Sequence, residues 1–389
     1  MPRPKAVELF AGIGGFRLAC DANGFETIWA NDIDANACTV YRARFGSAAM
    51  REGDIRTLSS EVPDHDLLTG GFPCQPFSSA GKKSGIRDPR GTLFQSIVEV
   101  VRAREPSFFA LENVKRLLSM EDGAHFATIL EALASLDYRI EWRLLNAMHF
   151  GLPQNRQRVV ILGTHKKIMP NRTLDRVLLA TPDDLLALSY LDRSRFLEGH
   201  RHWTAIESHA SRFPWWGVAV NGRFFGADLQ VFSSALPMPS LKSVLQKNHE
   251  VGPEFDFTDA TKERLKDSVP VNRFVQGVQV LSNQGGGARM GYTIFGVDGV
   301  APTLTAATSR HYERYSIGGR YRRLTNIEYA RLQGFPDDHC REISTYDQYM
   351  LFGNAVPPPL VSWVLCRMRS EGASLPKQRT GQLALFHAS

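Results

Sequence analysis

The chain has 389 residues, of which 43% are hydrophobic and 22% charged; this is a globular composition, with length for one large domain or two unequal ones. No apolar run approaches the ~20 residues that span a bilayer, and the Met-Pro-Arg-Pro-Lys opening has no apolar signal stretch behind it, so a cytoplasmic protein without a membrane partner is expected. Basic residues exceed acidic ones by 46 to 40, a net charge of +6 that is compatible with a polyanionic partner and decides nothing alone.

The first ~165 residues alternate strand and helix signals. Ala6 to Phe10 reads as a strand running into Gly12, Gly14 and Gly15. An amphipathic helix follows from Phe16 to the Asn23-Gly24 stop. Thr27–Ala30 is a second strand, Asp34–Phe45 a helix closed by Gly46, and Asp66–Thr69 a strand ending at Gly70-Gly71. Thr92–Arg104 is helical, Ser107–Leu111 is a strand leading into Glu112-Asn113, and Ala124–Leu136 is helical. Strands are expected near Arg139–Leu145 and Arg158–Leu162. This rhythm predicts an α/β fold: a doubly wound, mostly parallel sheet whose ligands sit beyond the C-terminal strand ends. From about 175 to 320 the rhythm breaks into Pro, Gly, Arg and aromatic residues, which suggests a smaller, irregular, β-rich second domain. Alternation resumes weakly near Leu324, a last helix runs from about Pro359 to Ser370, and the final ~19 residues read as a loose tail.

Three features of the first half point to a nucleotide-like ligand. Phe10-Ala11-Gly12-Ile13-Gly14-Gly15 follows the first strand and opens a helix, where glycines allow close backbone approach and free N–H groups face outward. Arg17 occupies the third glycine position of a dinucleotide fingerprint, which weakens a pyrophosphate reading and with it a nicotinamide oxidoreductase. Asp32, 20 residues after Gly12, stands where a carboxylate holds ribose hydroxyls, and Asp54 stands where one could bind an adenine amino group. A tight structural turn with surface acids is the plainer alternative.

Five cysteines at positions 20, 38, 74, 340 and 366, with no Cys-x-x-Cys, argue against a disulfide framework or a metal site. Cys74 differs from the others. Gly70-Gly71 ends a strand, Pro73 and Pro76 stiffen the chain around the cysteine, and the small, basic stretch 78–85 suits a loop closing over an anion. Glu112 falls at the next strand end and is a candidate proton donor facing Cys74. In Gln154-Asn155-Arg156-Gln157-Arg158 the alternate residues share a face, so Arg156 and Arg158 could hold an oxygen and a phosphate.

In this order these residues resemble the DNA (cytosine-5)-methyltransferases of bacterial restriction–modification type. The matching blocks are Phe10–Gly15, Asp32, Asp54, Gly71–Gln75, Glu112–Val114 and Gln154–Arg158. Arg323-Leu324-Thr325 through Pro336 and Gly353–Pro357 follow. The resemblance implies that Cys74 is the nucleophile that adds to C6 of a flipped-out cytosine. It implies that Glu112 contacts N3 and the exocyclic amine, and that Arg158 contacts O2 with Arg156 beside it. It implies S-adenosyl-L-methionine as cofactor, held by Phe10, Ala11, Gly12, Ile13, Gly14, Gly15, Asp32, Ile33, Asp54, Ile55, Pro73, Leu93, Asn354, Ala355 and Val356, with no metal. Glu8 stands where the family usually has Asp, and Ile33 where it often has an aromatic.

The implied partner is double-stranded DNA with a short specific site, in a prokaryotic cytoplasm, beside a restriction endonuclease acting on the same site. A monomer is expected by analogy. The catalytic domain is expected at 1–175 plus 346–389 and the target-recognition domain at 176–345. Candidate contacts to DNA there are Arg310, Arg314, Arg320, Arg322 and Arg323 with His311, Tyr312, Tyr315 and Tyr321. The Arg212–Trp216 segment and the loop Gly285–Arg289 are further candidates. A transfer RNA (cytosine-5)-methyltransferase is the alternative with the same chemistry; the long recognition interval argues against it. A non-enzymatic DNA-binding module is the other rival, and it leaves Cys74, Glu112 and Arg158 without a purpose.

Overall fold

Strands with apolar side chains on both faces need cover on both faces, and the order of elements supplies it. The structure is a computed structural model that describes residues 2–73, 92–168, 177–181, 184, 197–198, 212–220, 223–229, 238–283, 293–306 and 313–372. Cys74, the loop 78–85, Gly285–Arg289, Arg310–Tyr312 and the C-terminal tail lie outside the described residues.

The first half runs β1 (Lys5–Leu9), α1 (Gly15–Ala22), β2 (Glu26–Asp32), α2 (Ala35–Phe45), β3 (Met50–Glu52), the single turn α3 (Ile55–Leu58), β4 (Leu67–Gly71), α4 (Thr92–Arg104), β5 (Phe108–Val114), α5 (Ala124–Ala134), β6 (Tyr138–Asn146) and β7 (Gln157–His165). Local chemistry sets several boundaries. Asp34 caps α2 by accepting from the Ala37 N–H, and Gly46 closes that helix at φ 82°, a conformation that disfavours any side chain. Along β5, Phe109 and Leu111 enter the core beneath α4 and α5, while Phe108 and Ala110 face the core beneath α1 and the last helix. The period of two is thus buried on both sides.

The ten-stranded sheet has the order β3-β2-β1-β4-β5-β7-β6-β9-β10-β8, where β8 is Leu197–Glu198, β9 Trp216–Val220 and β10 Arg223–Ala227. The pairings from β3 to β5 are parallel; β7 is antiparallel to both β5 and β6. The reason is the short β6–β7 connection, residues 147–156, which has no room for a crossover helix. Reversal has a functional consequence. The N-terminal end of β7 meets the C-terminal ends of β4 and β5, and Arg158 pairs in register with Val114.

Residues 216–227, which the sequence places in the second domain, extend this first sheet. Phe213 and Trp216 are fully buried in its cores and Arg212 pairs with Asp228, so this segment builds the large sheet instead of offering a DNA-facing surface. The second sheet, β11-β12-β13-β14-β15 (Val269–Val275, Val278–Asn283, Thr293–Phe295, Arg314–Ile317, Arg320–Arg322), follows α6 (Asp259–Leu265). Its edge strand β11 exposes Val269, Phe274 and Val275, and its register with β12 shifts between Pro270 and Arg273.

The arginine cluster expected to face DNA is largely internal. Arg322 is fully buried, Arg314 nearly so, and Arg320 donates to Asp256 and to the carbonyls of Asn248, Val251 and Gly252. Tyr315 is buried, Arg323 stacks over Phe255, and Tyr321 stays half exposed.

After Leu324 the described chain is helical, not alternating: α7 (Asn326–Gln333), α8 (Thr345–Asn354) and α9 (Pro358–Gly372). A capping box between Thr325 and Glu328 starts α7. α9 packs on α1, and α7 and α8 share a core with Ile13, Ala37 and Val40 from the N-terminal half. None of the described helices is long and apolar enough to cross a membrane.

The joint between β15 and α7 is a buried ion pair. Arg322 donates to both oxygens of Glu328 at 2.7 and 2.8 Å, and neither side chain is exposed. Glu328→Ala leaves that guanidinium unpaired and is expected to cost about 3–5 kcal/mol in urea unfolding. The double change Arg322→Met with Glu328→Leu should cost less than the single one. A single-mutant loss below ~1 kcal/mol would show that the pair is not what joins the two elements.

Candidate active site

A cavity of about 560 Å³ opens beyond the C-terminal ends of β1, β2, β4 and β5. It gathers every residue expected to hold the cofactor except Gly14: Phe10 to Ile13, Gly15, Asp32, Ile33, Asp54, Ile55, Pro73, Leu93 and Asn354 to Val356. Gly14 has another reason to be glycine. It caps α1 at φ 84°, and a Cβ there would sit 2.3 Å from the Phe45 ring. Gly15 lies against the carbonyl of Val356, 2.2 Å from where a Cβ would be, so the first helix and the 353–356 wall touch through backbone alone.

The loop around the cavity is held by polar side chains. Phe10 leaves β1 at φ 54°, a left-handed conformation that is strained for a side-chain-bearing residue. The Asp32 carboxylate accepts from Gly12 N–H at 2.7 Å and from Asp34 N–H at 2.9 Å. Burial nevertheless raises its pKa above the usual value. Asn31, which sequence reading passed over, donates to the carbonyls of Arg51 and Gly53 and so sets the position of Asp54. Asp54 itself is ion-paired with Arg56, another wall residue, which holds its carboxyl below the usual range. Ile33 stands 69% exposed at the rim and offers an apolar face there.

At the other end Glu112 and Arg158 form a buried ion pair, Nε to Oε1 2.8 Å. Burial raises the Glu112 pKa, and the Arg158 and Arg156 charges oppose that rise. A Cβ at Gly71 would lie 3.4 Å from Glu112 Oε2, so the glycine keeps space open beside the acid. Asn113 donates to the Phe72 carbonyl at 3.0 Å and fixes where the chain leaves β4 toward Pro73. A polar recess lined by Lys115, Arg116, Asn155, Gln157, Gln276 and Thr303 adjoins, with Arg158 common to both.

Arg156 is not at the cavity. Its fully buried guanidinium donates to the carbonyls of Leu304, Gly353 and Ala355 at 2.9–3.1 Å. It holds the cavity wall in place and touches nothing within the cavity. Sequence alternation put it on the same face as Arg158, but it lies just before β7 begins, where pairing no longer dictates direction.

Glu8 was legible only as a departure from a pattern. It lines the cavity, is 1% exposed, and accepts from Tyr41 OH at 3.1 Å through Oε2, while Oε1 has no hydrogen-bond partner. Burial pushes its pKa up to about 8. Besides the protonated Glu8, four carboxyl groups, Asp32, Asp34, Asp54 and Glu112, line this cavity against two guanidinium groups, Arg56 and Arg158. That balance suits a cationic ligand.

Comparison with known proteins agrees with the geometry. Residues 5–195 and 242–369 match the family model of the C-5 cytosine-specific DNA methylases. This chain belongs to the C-5 cytosine-specific DNA methylase family. It is a DNA (cytosine-5)-methyltransferase. The methylase is 38% identical over 375 residues to the type II methyltransferase M.DsaV of Dactylococcopsis salina, covering 94% of this chain and 86% of that one. It is 31% identical over 362 residues to M.NgoBI of Neisseria gonorrhoeae, covering 92% and 90%. The crystal structure of S. pombe Dnmt2 shares the methylase fold at a TM-score of 0.63 and 18% identity, covering 95% of this chain and 99% of that one.

Two outcomes test the site's physics. With a raised pKa, Glu8 is protonated in the folded chain and ionised in the unfolded chain between pH ~4.5 and ~8. Its stabilising contribution is therefore full below that window and lost as pH rises through it. Thermal unfolding of Glu8→Gln should lose less stability than the parent between pH 5 and 8; parallel profiles would contradict the burial of an ionisable Glu8. Arg156→Lys replaces a planar fork by a point charge. It should lower the unfolding free energy by about 3 kcal/mol, as charge-assisted hydrogen bonds to two carbonyls are lost. An unchanged urea midpoint would show that the three carbonyls need no clamp.

Proposed function

We propose that this chain methylates C5 of one cytosine within a short duplex DNA site, as the modification enzyme of a type II restriction–modification system in a prokaryotic cytoplasm. The observation that carries the reading is the convergence of Glu112, Arg158 and the Pro73 end of β4 on one rim of an acid-lined cavity. The cofactor we assign is S-adenosyl-L-methionine. Asp32, Ile33 and Asp54 would hold its adenosine, and its positive charge would suit the excess of carboxyl groups in the lining. When bound, it supplies an electrophilic methyl group.

The chain's own residues do the rest. The target base leaves the stack to reach them, at a cost of a few kcal/mol. Cys74, one residue beyond Pro73, adds its thiolate to C6; the S–C6 bond forms and the C5=C6 electron pair moves onto C5, which becomes nucleophilic toward the methyl group the cofactor would supply, the methyl–sulfonium bond breaking to leave a neutral thioether. Glu112, whose pKa burial raises while Arg158 opposes the rise, would meet N3 and the exocyclic amine, and Arg158 would steady both Glu112 and O2. Loss of the C5 proton to a base restores the double bond and expels the Cys74 thiolate.

The catalytic unit we assign is 1–175 plus 346–389, with the strands at 197–227 hydrogen-bonded to its sheet. Within 176–345, the second sheet and the turns before it form the recognition unit. A monomer meeting each DNA strand separately suffices, and a restriction endonuclease reading the same site is the implied counterpart.

Bisulfite sequencing of plasmid from a methylation-deficient bacterium expressing the chain should show one protected cytosine in one recurring motif. The Cys74→Ser protein should keep cofactor and DNA binding and lose transfer. Protection retained in Cys74→Ser removes the covalent mechanism. An unprotected plasmid, with tritium from labelled cofactor entering transfer RNA, replaces the DNA substrate by RNA.

A further inference from the structure

The cofactor loop is conformationally free where it most needs to be fixed. Ile13 lies between Gly12 at φ 54° and Gly14 at φ 84°. Two glycines in left-handed conformations impose little steric restraint on the peptide units that they flank. Ile13 nevertheless belongs to the cavity lining, while its carbonyl lies 2.7 Å from Nε2 of His339, a residue outside the lining and fully buried. A carbonyl only accepts, so Nε2 carries the proton and Nδ1, which has no partner, is bare.

His339 is itself braced on three sides. Its N–H donates to Pro336 O at 3.1 Å. Its ring packs on Phe335 at 4.6 Å and lies edge-on to Phe45 at 6.1 Å. Phe45 is the ring that excludes a Cβ at Gly14. The neighbouring Asp338 accepts both guanidinium hydrogen bonds of Arg44, at 2.7 and 3.0 Å, which ties the 336–341 turn to the end of α2. One brace, contributed by the turn after α7 and the last turn of α2, therefore supports both Ile13 and Gly14 from behind.

We propose that His339 is a positioning residue for the cofactor: its Nε2–H bond to the Ile13 carbonyl sets the orientation of the loop that the cofactor binds. The proposal rests on the reading of the cavity as a cofactor site. Burial pushes the imidazole pKa down to about 4, so the ring is neutral and the donor tautomer persists in ordinary buffers. Nothing in the chemistry of transfer needs His339, so its loss should act on binding and spare the chemical step.

The test is calorimetric titration with S-adenosylhomocysteine beside steady-state kinetics of the full-length enzyme. His339→Phe keeps a ring in place and removes the donor. It should weaken binding about tenfold and raise KM for the cofactor by a similar factor, with kcat within about threefold. His339→Gln, whose amide nitrogen reaches near the imidazole Nε2, should restore affinity to within about threefold of the parent. Arg44→Ala loosens the turn at the surface without entering the core and should weaken binding two- to threefold. Equal affinity in the parent and His339→Phe, or a fall in kcat with KM unchanged, overturns the proposal. Should His339→Phe fail to fold, the nitrogen-15 spectrum of the parent decides: a pyrrole-type Nε2 that shifts on titration supports it, and a pyridine-type Nε2 overturns it. A parent that does not bind S-adenosylhomocysteine at all would instead remove the cofactor reading on which this rests.

Discussion

A fully buried guanidinium with no carboxylate in contact is costly, and Arg156 exists in that state because three main-chain carbonyls accept its hydrogen bonds. Two of the three, Gly353 and Ala355, belong to the cavity wall, and the third, Leu304, belongs to the stretch between β13 and β14 of the second sheet. Two residues further along the same chain, Arg158 faces Glu112. A single stretch entering β7 therefore holds the wall, a stretch between two strands of the second sheet, and Glu112. This works because β7 runs against β5 and brings its first residues to the rim where the parallel strands finish.

Elsewhere in the site the same device recurs: side chains grip backbone carbonyls. Asn113 takes Phe72, Asn31 takes Arg51 and Gly53, and His339 takes Ile13. Loops between strand ends and helix starts have no ladder to hold them, so their carbonyls need other donors. All three donors are buried; Asn31 and Asn113 belong to the cavity wall, and His339 stands outside the lining.

That division explains what was legible in the sequence. The strand–helix rhythm to residue 165, the Gly46 stop, the glycine loop and the acids Asp32 and Asp54 were readable because period, capping chemistry and glycine placement are local properties; wall residues such as Leu93 and Asn354–Val356 came only with the family resemblance. Arg156 and the Arg314–Arg323 cluster were misjudged for the opposite reason. Whether an arginine meets solvent, a carbonyl or a buried Glu328 depends on chain segments far away, which spacing does not encode. Trp216 and the strands near it were assigned to the second unit because the rhythm breaks at about 175, yet they complete the first sheet through antiparallel pairing with β6. Glu8 stood out as an exception to a pattern, and its partner Tyr41 became visible only when α2 was folded onto β1. Asn31 and His339 gave no signal, since a polar residue near the end of a strand or after a proline turn resembles many others.

The first helix is completed by the last. Asn23 donates to Ser362, 339 positions later, and the Ile13 carbonyl meets a ring 326 positions later. During synthesis the first strands emerge with their glycine loop uncovered, and the wall at 353–356 arrives more than three hundred residues later. Contacts so distant in sequence close large loops and form late. The pocket is thus withheld from a partial product: a chain that stops short of residue 353 has the strand ends but no complete cavity.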